Sequence, residues 1–164
     1  AVQTLYSLIG GREQILCAAV DELFGIQIAH ARAHGAAAGD FILAYCDTVE
    51  AYVTRNEAYA RAVVTLLRAH DHPIARITFA RLETAFGAHL AALASDGALR
   101  PWVDAAALTR GICDAIGGQL VGWIEGRIAR DALHRGLLLA VGLPLLGAAG
   151  PLLAARIEAR LTGV

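Results

Sequence analysis

The sequence predicts an all-α fold, and three observations carry that reading. Apolar residues recur at three- and four-residue spacings through most of the chain, Ala and Leu supply much of a 57% hydrophobic composition, and Gly, Pro or Asp breaks separate the periodic segments. Ala and Leu are strong helix formers, and Ala loses no side-chain entropy in a helix. No strand-like alternation persists, and neither an internal repeat nor a low-complexity linker is present. At 164 residues the chain is long enough for one domain with a real core.

The first helix is expected after Gly10-Gly11, with Leu16, Val20, Leu23, Phe24 and Ile28 on one face, fading near His34-Gly35. Asp40 is the expected N-cap of a second helix that carries Phe41, Tyr45, Val49 and Tyr52 and stops near Asn56. A short third helix holds Tyr59, Val63, Leu66 and Leu67. Asp71-His72-Pro73 opens a fourth, with Phe79, Leu82, Phe86, Leu90 and Leu93 in helical register, and Ser95-Asp96-Gly97 closes it. His70, Asp71 and His72 therefore read as capping residues rather than catalytic ones. Asp104 is the expected cap of a fifth helix bearing Leu108, Ile112, Ile116, Leu120 and Trp123. A sixth begins near Arg130-Asp131 and runs to about Leu146, and a seventh follows Pro151 and ends at Gly163.

Two stretches stand apart. Gly111, Gly117, Gly118, Gly122 and Gly126 gather on the fifth helix, where each glycine costs about 1 kcal/mol relative to Ala. Close approach of a neighbouring helix is the expected compensation, and with the apolar sixth helix it suggests an interface between two subunits. Leu137 to Ala155 is nineteen residues without a charge, long enough to be checked as a membrane span. Its glycines and prolines, and the Gly150-Pro151 junction, fit a buried helix or subunit interface better.

Composition narrows the function classes. All fourteen basic residues are Arg, and the net charge is −1, a poor footprint for a nucleic-acid binder unless basic surface lies upstream. The chain lacks Met, so an upstream segment is expected. Cys17, Cys46 and Cys113 are widely separated with no metal-ligand spacing, which fits buried thiols in a reducing, cytoplasmic setting. No signal-peptide pattern opens the sequence. No nucleophile elbow, P-loop, dinucleotide fingerprint or zinc spacing is found, and no enzyme, cofactor or metal is expected. His30 and His34 stand four apart on one helix, a metal-compatible spacing, but without a third ligand they read as surface histidines.

The N-terminal stretch carries a motif. It reads Thr4-Leu5-Tyr6, Ser7, Leu8-Ile9, a Gly10-Gly11 turn, Arg12-Glu13, then Ile15-Leu16 opening the first long helix. In order and spacing it resembles the end of the recognition helix, and the turn after it, in the TetR family of transcriptional regulators. Leu8 replaces a residue that is often polar in that family, and Gly11 replaces a typical Ser or Asn cap. The resemblance implies that Gln3, Thr4, Tyr6 and Arg12 contact DNA. Hydroxyls and a cation near a helix N-terminus suit phosphate oxygens, and they position a protein rather than read sequence. It also implies a TetR-like helical bundle in which residues 1–11 are the truncated end of the helix-turn-helix domain and 12–164 form a ligand-binding and dimerisation domain. The stretch from Leu93 to Trp123, with Gly97 to Pro101 and then Asp104, resembles the approach to the family's dimer helices.

The implied function is a ligand-responsive repressor with three partners: operator DNA, a small hydrophobic or aromatic effector, and a second copy of the chain. A membrane is not among them. Phe24, Ile28, Tyr45, Tyr52, Phe79, Phe86 and Trp123 are the expected walls of the effector pocket, with Glu83 and His89 as its polar residues. Ile112, Ile116, Leu120, Leu137, Val141 and Leu145 are the expected dimer contacts. The alternative reading is a helical small-molecule carrier or membrane-associated bundle with no DNA role.

Overall fold

The computed structural model describes residues 11–35, 40–68 and 72–163. Seven helices make up most of them: α1 (Arg12–Gly35), α2 (Phe41–Arg55), α3 (Glu57–Arg68), α4 (Pro73–Ser95), α5 (Ala105–Ile124), α6 (Arg130–Ala148) and α7 (Pro151–Thr162). Among the described residues there is no strand, only an isolated antiparallel bridge between Leu99 and Ala149. The chain is all-α. Gln3, Thr4 and Tyr6 lie outside the described residues, as do His70 and Asp71. Arg12 begins α1, and its side chain is also outside the description.

Local chemistry explains where the helices start and stop. The Gly11 N–H donates to Gln14 Oε1 at 2.6 Å, the returning half of a capping box. Asp104 accepts from the Ala106 and Ala107 N–H groups, and His72 Nδ1 accepts from Ile74 N–H just before Pro73. Asp40 does not cap α2; its carboxylate instead lies 4.0 Å from Arg160 Nε on α7. Gly97 and Gly126, at φ of +68° and +76°, close α4 and α5 in the left-handed conformation. In both cases the next residue's N–H reaches back five residues, Ala98 to Leu93 O and Arg127 to Gly122 O, as in a Schellman end. The sixth helix runs two residues beyond Leu146. Pro144 sits in its last turns, where the lost N–H removes one bond and the helix ends soon after.

α1 lies across α2 and α4; α5 packs on α3, α4 and α6; α6 packs on α2, α5 and α7. The loop before α5 is tied to the loop before α7, with Arg100 N–H donating to Ala148 O and Gly150 N–H to Ala98 O, each at 2.8 Å. Polar contacts stitch distant helices: ion pairs join Asp21 on α1 to Arg81 on α4 and Asp47 on α2 to Arg160 on α7, and Asp47 also hydrogen-bonds His134 Nε2 on α6 at 2.8 Å. α6 is long and apolar enough to cross a membrane by length and composition. Its Leu133, Leu137, Leu138 and Val141 are nonetheless buried against the rest of the chain.

Two sequence expectations need correction here. Ile112, Ile116, Leu120, Leu137, Val141 and Leu145, expected as dimer contacts, are all buried within the single chain and form part of its own core. The apolar stripe of α5 and α6 satisfies the chain's own fold first. The α5 glycines also differ from expectation. A Cβ at Gly111 or Gly118 would meet open space, and Gly117 faces only the Phe79 ring. Close approach is found at Gly122 alone, and from Ile128 in the following loop.

Candidate functional site

α1 to α5 converge without filling the space between them. A cavity of about 380 Å³ remains, within the range of small-molecule sites. Each helix contributes a run at helical spacing. α1 gives Leu23, Phe24 and Gln27; α2 gives Tyr45, Val49, Tyr52 and Val53; α3 gives Ala60, Val63, Val64 and Leu67. α4 adds Thr78, Phe79 and Leu82, and α5 adds Cys113, Ile116, Gly117, Leu120 and Val121. A Cβ at Gly117 would stand 3.6 Å from the Phe79 ring, at ordinary contact distance. The lining residues that also face solvent are Arg68, Asp114 and Gly118.

The walls are apolar with a small polar set. The Tyr45 hydroxyl donates to Gln27 Oε1 across a long 3.5 Å, and both residues are buried. Thr78 is 1% exposed, and its Oγ1 has no hydrogen-bond partner. Helical threonines ordinarily donate back to the carbonyl one turn earlier. Thr48, Thr65, Thr84 and Thr109 do so here, at 2.7–3.0 Å. Thr78 does not, although it is among the residues that line the cavity.

Electrostatics keep this interior neutral. Burial pushes the Tyr45 phenol well above its ordinary range, with Cys46 and Cys113 adding to the effect. Burial, then Glu83 and Asp114, push the Cys113 thiol up to about 12. A protonated thiol is a poor nucleophile. The walls therefore offer enclosure and hydrogen bonding. At the solvent side, Arg68 Nη2 is 3.0 Å from the Glu125 carboxylate.

Of the expected pocket residues, Phe24, Tyr45, Tyr52 and Phe79 line the cavity. The other five do not. Ile28 faces a shallow groove between α1 and α4, beside Arg81 and Thr84. Phe86 is buried edge-on against Tyr45 and Phe41, with ring centroids 5.3 and 5.6 Å apart. His89 lies edge-on to Phe41 at 5.4 Å, and Glu83 is exposed. Trp123 is buried under the Arg61 guanidinium, 4.5 Å from its ring centre. The cavity meets the first turns of α4, so residues further along that helix pass it by. Sequence reasoning missed Gln27, Thr78, Cys113 and the aliphatic face of α3. A signal existed for two of them: Gln27 follows Phe24 by three, and Thr78 lies four residues from both Ile74 and Leu82, each a polar residue on an apolar stripe.

The His30 and His34 rings stack at 4.1 Å, and His34 Nδ1 bonds the His30 carbonyl oxygen at 2.8 Å. Among the described residues no three metal-ligating side chains come together. Comparison with protein families, with curated proteins and with solved structures gives no match.

Proposed function

We propose that this chain is the ligand-binding and dimerisation part of a DNA-binding transcriptional regulator of the TetR type, a repressor whose operator affinity changes when a small hydrophobic molecule enters the cavity. The observation that carries the reading is the apolar cavity of about 380 Å³ enclosed by the first five helices. The Thr4 to Leu16 motif, followed by a run of helices, supplies the DNA side of the proposal. A ligand acts by its differential affinity for two arrangements of the DNA-binding heads.

The proposed homodimer uses faces that the fold leaves outward. Leu143 on α6 is 56% exposed, and the open side of Gly111 on α5 admits a close neighbour. Leu143→Glu is expected to convert dimer to folded monomer, read by sedimentation velocity with helicity unchanged; an unaltered dimer would place the interface elsewhere.

The deciding experiment is a gel shift with the full-length gene product on its own upstream DNA, with and without compounds that raise the thermal midpoint. Sequence-specific retardation that such a compound changes supports the regulator. Ligand binding without any retardation favours a helical carrier, which the same cavity would also serve.

A further inference from the structure

We propose that the cavity takes an uncharged, mainly apolar molecule bearing one hydrogen-bonding oxygen, a hydroxyl or a carbonyl, held by the Thr78 hydroxyl and the Gln27 side chain. This rests on the cavity being a ligand site and goes further by stating the chemistry of the ligand.

Three classes of ligand compete. A wholly apolar molecule would fill the space but leave the Thr78 hydroxyl unpaired, as it is now. An unpaired buried hydroxyl is costly, and a ligand oxygen relieves that cost. Gln27 adds to the same preference. Its Oε1 accepts a long bond from Tyr45, and the residue lines the cavity with its amide N–H₂ as a donor. The buried walls thus hold a donor at Gln27, and at Thr78 a hydroxyl that both gives and accepts.

A charged molecule is disfavoured. No carboxylate or guanidinium lies within the buried walls, and Tyr45 and Cys113 stay protonated. A carboxylate or ammonium drawn in would lose its hydration without a counter-charge. The two charged residues at the solvent side do not change this, because Arg68 already pairs with Glu125, and Asp114 would repel an anion. The threonines that donate back within their helices give the internal control. Thr109 is as buried as Thr78 yet is satisfied by Ala105 O, so burial alone does not account for the unpaired hydroxyl.

The test uses the chain with a fluorescent reporter, aminoanthracene, displaced in turn by naphthalene, naphthol and naphthoate. Naphthol is expected to bind about tenfold more tightly than naphthalene, the value of one recovered buried hydrogen bond, with naphthoate weaker than both. Thr78→Val should erase the naphthol preference and leave naphthalene within about twofold of its original affinity. Thr78→Ser, which keeps the hydroxyl, should retain the preference. Equal binding of naphthol and naphthalene, or a preference that survives Thr78→Val, would overturn the inference while the cavity remained a ligand site. Tightest binding by naphthoate would overturn it in favour of an anion site. If aminoanthracene shows no saturable binding and no compound raises the thermal midpoint, the ligand-site reading fails as well. The wild-type order of affinities alone decides the matter should the Val variant not fold.

Discussion

α3 and α6 bury the same kinds of side chain and face opposite surroundings. Val63, Val64 and Leu67 of α3 are as shielded from solvent as a core residue, yet they look onto a cavity of about 380 Å³. Leu133, Leu137, Leu138 and Val141 of α6 meet α2, α5 and α7 directly, and the gap lined by neighbouring Leu145, Leu153 and Ile157 holds only about 20 Å³. Shielding from solvent therefore does not separate core from pocket. What separates them is the partner on the far side: packed helices for α6, the cavity for α3.

The largest effect that tests this contrast comes from removing the same side chain on each side. Leu137→Ala should cost about 3–5 kcal/mol, since a close-packed site collapses only partly around the hole. Leu67→Ala enlarges a space that already exists, forfeits fewer contacts, and should cost about half as much. Urea denaturation of both variants at one protein concentration measures the difference. Equal losses would mean that α3 is packed as tightly as α6.

Adding volume should reverse the order of harm. Ala60 lines the cavity from α3, and Ala148 is buried near the end of α6. Ala60→Leu fills empty space and is expected to stabilise by about 0.5–2 kcal/mol while abolishing aminoanthracene binding. Ala148→Leu has nowhere to place its added carbons and should destabilise by about 1–3 kcal/mol. A destabilised Ala60→Leu that still binds the reporter would break the comparison.

How much of this was legible in the sequence follows from the same contrast. The helices were legible nearly to the residue, because caps and breakers act locally: Asp104, Pro73, Gly97 and Pro151 each do in the structure what their chemistry favours. Asp40 was not: it precedes α2 without a side-chain cap bond, and its carboxylate stands 4.0 Å from Arg160 Nε. The stripes that become buried were legible from their periodicity, but what they face was not. Ile112, Ile116 and Leu137 carry the same pattern whether they meet a second subunit or their own chain, and here they meet their own chain. The pocket was half legible. Phe24, Tyr45, Tyr52 and Phe79 were found as aromatics on inward faces, and Phe86 and Trp123 met that description equally well. Whether an inward aromatic borders a void depends on helix offsets that spacing does not encode. Gln27 and Thr78 were the better signal, because a polar residue on an apolar stripe demands a partner, and the identity of that partner marks the site.

The smallest predicted effect separates the two regions by pH. His89 lies on the compact side, lining the 20 Å³ gap with Leu145 and Leu153 and standing edge-on to Phe41. Burial first, and the Arg32 guanidinium second, hold its pKa below the ordinary value of 6.5, with Asp40 opposing them. The unfolded chain therefore takes up this proton before the native state does. Stability contributed by the neutral ring is complete above pH 6.5 and is lost as the pH falls towards the depressed native value. The thermal midpoint of wild type should consequently drop more than that of His89→Gln between about pH 7.5 and 5.5. The titratable groups buried in the cavity walls, Tyr45 and Cys113, are both pushed up and out of that window. Naphthol affinity should then stay constant across it, with wild type still folded, while the stability difference opens. An affinity that fell in step with stability would couple His89 to the cavity and join the two regions that packing keeps apart.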